Sequence, residues 1–281
     1  MPPSSALLLA PDIRALATAL DLHPSKARGQ NFVIDPNTVR KIVSQAGLGE
    51  HTHVLEVGPG FGSLTLGMLE AGQKVTAIEI DSRMASLLPQ TVAARIPGAQ
   101  FRVIEADALT VDSLDADITA LVANLPYNVS VPVLIHLLEL HPAFERVLVM
   151  VQAEVGWRLA AGPGTEHYGA PSVKVAWFGN WSVESTISRR VFWPEPRVDS
   201  VLVGMHATTP PGDEILRRKV FDLVDAGFHT RRKMARQSLS GVLGSVAEAS
   251  ALMESVGLRP DSRCETWSLN DFVALAHAWK K

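Results

Sequence analysis

The first two-thirds of the chain alternates between two patterns of apolar residues. Short runs that are apolar at almost every position are separated by longer stretches in which apolar residues recur three and four positions apart. The runs are typical of strands buried on both faces, and the longer stretches are typical of amphipathic helices. The predicted strands are residues 53–57, 74–80, 101–105, 118–123 and 147–152. The predicted helices between them are 82–94, 131–140 and one through Leu64, Leu66, Met68 and Leu69.

The order of these elements predicts the fold class. Strands that alternate with helices form parallel sheets covered on both faces, so we predict an α/β fold with a doubly wound sheet. Two later β-type runs, 172–178 and 198–206, are expected to complete the sheet with an antiparallel edge. Residues 213–281 show helical spacing without β-type alternation, which predicts a small all-helical C-terminal domain.

Local signals mark the ends of one helix with particular clarity. Asp35 is a favourable N-cap, and Pro36 stands at the first helical position. An apolar stripe then runs from Val39 to Ala46, and Gly47 follows as a typical helix terminator. We therefore predict a helix over 36–46.

Composition adds the domain organisation. The chain has 281 residues, of which 47% are apolar, and this excludes a disordered protein. Residues 208–213 contain two prolines and a glycine and are expected to form a linker. We predict an N-terminal extension over 1–28 with a helix through Ile13, Leu16 and Leu20, an α/β domain over 29–209 and a helical domain over 210–281.

The net charge of −3 does not by itself favour a nucleic-acid partner. The charges are unevenly distributed, however, because residues 1–211 carry a balance of −5 and residues 212–281 a balance of +2. Residues 217–236 contain seven basic and two acidic side chains. A local basic surface is therefore expected, although such runs are often only a solvated helix face.

Three classes of protein are disfavoured by what the sequence lacks. Cys264 is the only cysteine, so no intramolecular disulfide forms and multi-cysteine zinc sites are excluded. The nine histidines show no His-Glu-x-x-His spacing, and no apolar run approaches the roughly 20 residues of a bilayer helix. We expect a cytoplasmic, soluble protein that binds no metal and no membrane.

The ends of the first three predicted strands carry the candidate ligand-binding residues. In doubly wound sheets, ligands bind beyond the carboxyl ends of the strands. Gly58-x-Gly60-x-Gly62 follows the first strand, and Glu79, at the end of the second, is placed to accept hydrogen bonds from ribose hydroxyls. Asp107 follows the third strand, where its carboxylate can accept from an adenine amino group. These residues indicate a nucleoside-containing cofactor. The glycine spacing differs from the G-x-G-x-x-G of dinucleotide enzymes, so a dehydrogenase is a distant alternative.

The fourth strand ends in a tetrapeptide that is specific in this architecture. Asn124-Leu125-Pro126-Tyr127 resembles the catalytic turn of S-adenosylmethionine-dependent methyltransferases that act on exocyclic amino groups of bases. Further segments, in the same order, resemble the ribosomal RNA adenine N6,N6-dimethyltransferase family. They are residues 29–35, 55–65, 79–81, 107–109, 192–200 and 228–233.

The resemblance is strongest to the bacterial members that act on small-subunit rRNA. It implies a Rossmann-like methyltransferase domain with S-adenosyl-L-methionine as cofactor. It also implies dimethylation of N6 of two adjacent adenines in the 3′-terminal hairpin loop of 16S rRNA, during ribosome biogenesis. The expected partner is this rRNA or an immature small subunit, and the protein is expected to be a monomer.

The resemblance further implies roles for individual residues. Asn124, Leu125 and Pro126 are expected to hold the target amino group, and Tyr127 and Phe192 to stack on the target base. The expected cofactor-binding residues are Asn31, Val33, Gly58, Gly60, Glu79, Asp107 and Asn124. The expected RNA-binding residues are Arg217, Arg218, Arg231, Arg232, Lys233 and Arg236.

Two related functions remain as alternatives. A large-subunit rRNA adenine methyltransferase of the antibiotic-resistance type shares the turn at 124–127 and the helical C-terminal domain, but residues 192–200 fit the small-subunit enzymes better. A non-catalytic RNA-binding or transcription factor could use the same fold. The intact turn, together with Glu79 and Asp107, argues against lost catalysis.

Overall fold

The computed structural model describes residues 6–22, 31–230 and 232–280 of the chain. The strands are β1 (Phe32–Val33), β2 (His53–Val57), β3 (Lys74–Glu79), β4 (Phe101–Glu105), β5 (Ile118–Asn124), β6 (Arg146–Gln152), β7 (Gly179–Ile187), β8 (Phe192–Trp193) and β9 (Ser200–Ala207). The helices of the first two-thirds are α1 (Ala10–Ala19), α2 (Pro36–Ala46), α3 (Ser63–Glu70), α4 (Ser82–Arg95), α5 (Ser130–Leu140), α6 (Ala153–Leu159) and α7 (Ala170–Ala176). Those of the last third are α8 (Glu214–His229), α9 (Ala235–Ser238), α10 (Ser240–Leu243), α11 (Val246–Ser255) and α12 (Leu269–Ala278).

Seven strands form one sheet in the order β4-β3-β2-β5-β6-β9-β7. The five strands from β2 to β6 pair in parallel, and β9 pairs with β6 antiparallel. The chain winds outward from β2 to β4 and then returns to place β5 on the other side of β2, so the topological switch point lies between β2 and β5. The predicted doubly wound α/β sheet is confirmed, and this switch point is where such sheets bind their ligands.

The predicted helix over 36–46 is confirmed with both of its ends. The Asp35 side chain accepts hydrogen bonds from the backbone N–H groups of Asn37 and Thr38, the latter at 3.0 Å. At the other end, Gly47 has φ of 65° and closes the helix in the left-handed conformation. The capping residues alone therefore fix both ends of α2.

The predicted strand over 172–178 is wrong. Residues 170–176 form helix α7, in which Pro171 lies in the first turn and Ser172, Val173 and Val175 are buried. Proline has the φ of a helical first turn and lacks only an N–H that would have no partner there. The alternating valines suggested a strand, but the edge strand β7 begins only at Gly179.

Contacts divide the chain into two units. Unit 1 comprises residues 1–156 and 182–207, and unit 2 comprises residues 157–181 and 208–281. This division differs from the predicted boundaries because residues 157–181 group with the C-terminal helices. Within unit 2, the Trp177 ring packs edge-on against Phe221 and Lys174 Nζ lies 2.7 Å from a carboxylate oxygen of Asp225.

The described part of the N-terminal extension belongs to unit 1. Leu7, Ile13 and Ala17 are at most 2% exposed and lie in the same apolar core as the glycine-turn residue Phe61. Arg95 donates a hydrogen bond to the carbonyl of Leu7 at 2.9 Å. These residues are therefore part of the α/β core rather than a separate appendage. Residues 23–30, which include the start of the 29–35 segment, lie outside the described residues.

No helix in the described ranges is both long enough and apolar enough to cross a bilayer.

Candidate cofactor and catalytic site

A cavity of about 540 Å³ lies beyond the carboxyl ends of β2, β3, β4 and β5. Its lining brings together nine residues that the sequence predicted for cofactor binding or catalysis. They are Asn31, Val33, Gly58, Gly60, Glu79, Asp107, Asn124, Leu125 and Pro126. Tyr127 and Phe192 are not among the described residues that line it.

The turn that follows β2 lines the cavity and requires glycine. Gly58 and Gly60 have φ of 67° and 59°, which are left-handed conformations that side chains disfavour. A Cβ on Gly60 would lie 2.7 Å from the Phe32 ring, so a side chain cannot enter without displacing it. The space beside Gly60 is therefore filled by the Phe32 ring, which itself lines the cavity.

Glu79 connects the end of β3 to this turn. One carboxylate oxygen accepts from the N–H of Gly60 at 3.1 Å, and the other accepts from the N–H of Asp81 at 2.9 Å. The residue is 4% exposed, and burial is the main cause that raises its pKa above the ordinary range. Because a carboxylate has about four acceptor sites, both oxygens can still accept from hydroxyl groups of a ligand.

Glu56 is a cavity residue that the sequence analysis missed. It is 2% exposed, and its carboxyl accepts a hydrogen bond from the Thr65 hydroxyl at 2.5 Å. Burial raises its pKa to about 8, with repulsion from Glu79 as a smaller contribution. Glu56 is therefore mainly uncharged at neutral pH. The sequence signal that could have identified Glu56 is its position as an acidic residue between Leu55 and Val57 in the apolar strand β2.

Asn124 lines the cavity, and its side-chain oxygen is an unsatisfied hydrogen-bond acceptor. Its Nδ2 donates to the carbonyl of Asn31 at 2.9 Å, which fixes the orientation of the amide. Its Oδ1 is buried and has no hydrogen-bond partner among the described residues. A buried acceptor without a partner costs roughly 1–3 kcal/mol, so this oxygen is suited to an N–H group of a ligand.

Backbone hydrogen bonds hold the turn that follows Asn124. The N–H of Leu125 donates to the carbonyl of Met150 at 3.1 Å, and the N–H of Val129 donates to the carbonyl of Pro126 at 3.2 Å. The turn thus connects β5 to its neighbour β6 and leads directly into α5. Its position is set by the sheet and not by the loop alone.

The two predicted stacking residues have different surroundings. Tyr127 is half-buried, and its hydroxyl lies 2.6 Å from Oγ of Ser200, which is fully buried at the start of β9. Phe192 is 3% exposed and packs in the apolar core, opposite Val33 in the β1–β8 pair. Stacking by Phe192 thus stays a prediction, because in this structure its ring contributes to the core.

The predicted RNA-binding side chains are not equivalent. Arg217 is 7% exposed, pairs with Glu214 at 2.7 Å and lies over the Phe221 ring, so it is a packing residue and not part of an exposed surface. Arg218 is exposed and also pairs with Glu214. Arg232 and Lys233 are exposed, Arg236 is partly buried, and Arg231 lies outside the described residues.

A second cluster of polar groups lies at the amino ends of the parallel strands, opposite to the cavity. His53 Nδ1 is 3.0 Å from Asp117, and Asp115 lies close enough to complete a possible group of metal ligands. Lys74 and Arg102 already pair with the two aspartates, at 2.9 and 2.7 Å. The charges of this cluster are therefore balanced by the protein itself.

The site and the sheet order together define the class of protein. These features are typical of an S-adenosylmethionine-dependent methyltransferase: a left-handed glycine turn after β2, a buried acid at the end of β3 and an Asn-Leu-Pro-Tyr turn at the switch point. The sequence profile of the family described as "Ribosomal RNA adenine dimethylase" matches residues 24–281. The chain belongs to this family.

Individual relatives agree with that assignment. The chain is 57% identical over 274 residues to the "Ribosomal RNA small subunit methyltransferase A" of Leifsonia xyli subsp. xyli, covering 96% of this chain and 98% of the relative. It is 50% identical over 279 residues to the protein of the same name from Streptomyces coelicolor, covering 98% of both chains.

Solved structures show the same fold. A dimethyladenosine transferase from Plasmodium falciparum superimposes with a TM-score of 0.71 at 24% identity, covering 86% of this chain and 94% of that one. The 23S rRNA methyltransferase ErmE gives a TM-score of 0.66 at 22% identity, covering 89% of this chain and 100% of that one. At these identities the two structures support the fold and not the choice of substrate.

Proposed function

We propose that this enzyme dimethylates N6 of two adjacent adenines in the 3′-terminal hairpin loop of small-subunit rRNA, during ribosome biogenesis in the cytoplasm. The observation that carries the proposal is the buried, unsatisfied Oδ1 of Asn124 at the cavity. The small subunit is chosen because relatives that match nearly the whole chain carry the name of small-subunit methyltransferases. Neither a large-subunit enzyme nor a non-catalytic factor has comparable support.

The cavity residues fit the parts of S-adenosylmethionine. Glu79 has acceptor capacity for the ribose hydroxyls, and Asp107, at the end of β4, can accept from the adenine amino group. Asn31 and Val33, which line the same cavity as the turn at Gly58, are assigned to the methionine portion. When bound, the cofactor supplies an electrophilic methyl group on its sulfonium.

Asn124 prepares the target amino group for transfer. The lone pair of an adenine amine is delocalised into the ring, so N6 is a poor nucleophile. Oδ1 of Asn124 and a main-chain carbonyl of Leu125 or Pro126 accept hydrogen bonds from the two N–H groups of the adenine amine. These hydrogen bonds favour a pyramidal nitrogen whose lone pair points at the methyl group. This contribution is positioning and electrostatic stabilisation rather than acid–base catalysis. Pro126 has no N–H that could compete for the same acceptors.

The target base must leave its stack to reach this turn. Enzymes that act on a base inside a pocket use unpaired or extruded nucleotides, and a hairpin loop supplies them at low cost. Tyr127 is assigned as a stacking face, worth roughly 1–3 kcal/mol per base. Phe192 is the candidate for the second face through its resemblance to the family alone, since its ring packs in the core. Each transfer forms an N–CH3 bond as the S–CH3 bond breaks, and the methylated nitrogen then releases one proton to solvent. The second transfer therefore starts from a nitrogen with a single N–H group left to donate.

One assay tests the proposal. The protein is incubated with labelled S-adenosylmethionine and immature small subunits, naked small-subunit rRNA or large subunits, and the nucleosides are identified after digestion. N6,N6-dimethyladenosine in a small-subunit substrate is expected. Methylation confined to large subunits would support the antibiotic-resistance alternative, and no methylation of any RNA would support the non-catalytic factor.

A further inference from the structure

The side chain of Tyr127 is held at its outer end by a buried serine. Its hydroxyl oxygen lies 2.6 Å from Oγ of Ser200, which is within the usual range for a hydrogen bond between two hydroxyl groups. Ser200 is 0% exposed, and a buried hydroxyl group is costly unless it has a hydrogen-bond partner. Burial also raises the pKa of Tyr127, so the phenol stays protonated at neutral pH and keeps this hydrogen bond.

Ser200 is in turn fixed by the sheet. It is the first residue of β9, where it pairs with Gln152 at the end of β6. The carbonyl of the preceding residue, Asp199, accepts a hydrogen bond from the N–H of Ala153 at 3.0 Å. The Ser200 hydroxyl is therefore carried by the backbone of two paired strands.

The backbone beside Tyr127 is anchored to the same strand. The N–H of Leu125 donates to the carbonyl of Met150, which stands two residues before Gln152 in β6. The end of β6 thus positions the turn at residues 124–127 directly and the tyrosine hydroxyl through Ser200. A tyrosine side chain has only two rotatable torsions, so anchoring at both ends sets the plane of the ring.

The serine hydroxyl stands in an otherwise apolar run. The next residues of β9, Val201, Leu202 and Val203, are at most 1% exposed. An alanine would fill the position of Ser200 with one polar atom fewer to bury. What the serine adds to this run is one hydroxyl group, and that group bonds to Tyr127.

We propose that Ser200 is a positioning residue for methyl transfer, whose hydroxyl group holds the ring of Tyr127 in the orientation on which the target base stacks. The inference rests on the proposed function for the stacking role of Tyr127. A base stacked on a ring that can tilt presents its amino group less accurately to the methyl donor, and a misplacement of about 1 Å can cost roughly 10²-fold in rate. The hydroxyl therefore acts on the rate of transfer far more than on the affinity for RNA.

The test removes the hydrogen bond from either side. Ser200→Ala and Tyr127→Phe each remove one hydroxyl group and keep the ring, and the double variant removes both. Thr76→Val is the matched control, because the Thr76 hydroxyl is also buried and lies 2.8 Å from Nε2 of His53. Thr76 is not among the described residues that line the cavity. Single-turnover methylation of immature small subunits at saturating cofactor gives the rate of transfer, and direct binding gives the affinity for the same particles.

Ser200→Ala should lower the single-turnover rate about 10- to 100-fold and leave the affinity for the particles within a few-fold of wild type. The double variant should be no slower than the slower single variant, since both remove the same hydrogen bond. Thr76→Val should keep the wild-type rate. A wild-type rate in folded Ser200→Ala would overturn the proposal. So would an equal loss in Thr76→Val, which would show a general effect of destabilisation, or rate losses that multiply in the double variant.

The ring can also be followed without measuring activity. The chain has two tyrosines, Tyr127 and Tyr168, so ring-labelled tyrosine gives two sets of NMR signals, and Tyr127→Phe identifies the first. Ser200→Ala should shift the Tyr127 signals, and Thr76→Val should leave them in place. Unchanged Tyr127 signals in Ser200→Ala would overturn the positioning role. A wild-type protein that methylates only another RNA would refute the proposed function, and the same variants on that RNA would still decide the role of Ser200. A wild-type protein that methylates no RNA would overturn both.

Discussion

The side-chain amide of Asn124 is held by the main-chain carbonyl of Asn31, 93 residues earlier in the chain, at 2.9 Å. Since the amide nitrogen is used in this bond, the oxygen is the end of the amide that is left without a partner. Asn31, the residue directly before β1, thus fixes the orientation of the Asn124 amide.

Asn124→Ala should strongly reduce the rate of methyl transfer and leave the affinity for S-adenosylmethionine within a few-fold of wild type. Removing one pre-organised hydrogen-bonding group typically lowers kcat by about 10²–10³. Single-turnover methylation and calorimetric binding of S-adenosylhomocysteine measure the two effects separately. Asn180→Ala, at an exposed position in β7, is the control. A large loss of cofactor affinity would show that Asn124 mainly binds the cofactor.

Gly60→Ala should destabilise the protein by about 1–3 kcal/mol and weaken cofactor binding. The substitution combines a left-handed backbone with a Cβ 2.7 Å from the Phe32 ring. Gly98→Ala is the matched control, since Gly98 also has a positive φ, of 81°, but has nothing within 4 Å of the new Cβ. Equal losses of cofactor affinity in the two variants would contradict a steric role for the turn.

The pH dependence of stability should carry a contribution from Glu56. Its pKa is about 8 in the folded protein against an ordinary value of 4.5, so the folded state binds a proton that the unfolded state releases above pH ~5. This contribution to stability is complete below pH ~4.5 and is lost as the pH rises through about 8. Glu56→Gln should therefore gain stability relative to wild type between pH 5 and 8, as measured by denaturant unfolding. A constant difference across that range would mean that Glu56 is charged in the folded protein.

Tyr127 and Ser200 should behave as a coupled pair. Because Ser200 is fully buried, Tyr127→Phe and Ser200→Ala each leave one hydroxyl oxygen without its partner, and each should cost about 1 kcal/mol of stability. The double variant should cost less than the sum by about 0.5–1.5 kcal/mol. Additive losses in urea unfolding would show that the two hydroxyl groups act independently.

The sequence predicted what is decided locally or by strand order. The ends of α2 follow from Asp35 and Gly47. Gly58, Glu79 and Asn124 lie close together because the carboxyl ends of parallel strands lie on the same side of the sheet. The buried state of Arg217 could not be predicted, because it depends on the packing of Phe221 within a helix that also carries exposed cations. Helix α7 was missed for a related reason, since alternating valines suit a strand and a half-buried helix equally well.

The pairing of β1 with β8 and the placement of Pro260 beside Arg236 were also beyond sequence reasoning. Both depend on hydrogen bonds between backbones far apart in the chain, and such bonds leave no pattern in side-chain identity. The resemblance to a family located Asn31 and Phe192 in the sequence, but it gave neither their partners nor the burial of the aromatic ring.

Unit 2 is built from two separate stretches of chain, and this limits how the protein can be divided. A truncation after residue 207 would remove α8 and leave residues 157–181 behind, with the apolar ring of Trp177 deprived of Phe221. Such a fragment should aggregate, whereas grafting the helical unit from one homologue to another requires both stretches to be exchanged together. Unit 2 thus consists of an inserted segment, residues 157–181, and a C-terminal segment, residues 208–281, which share one core. Any chimera therefore needs one junction at each end of the inserted segment and a third near residue 208.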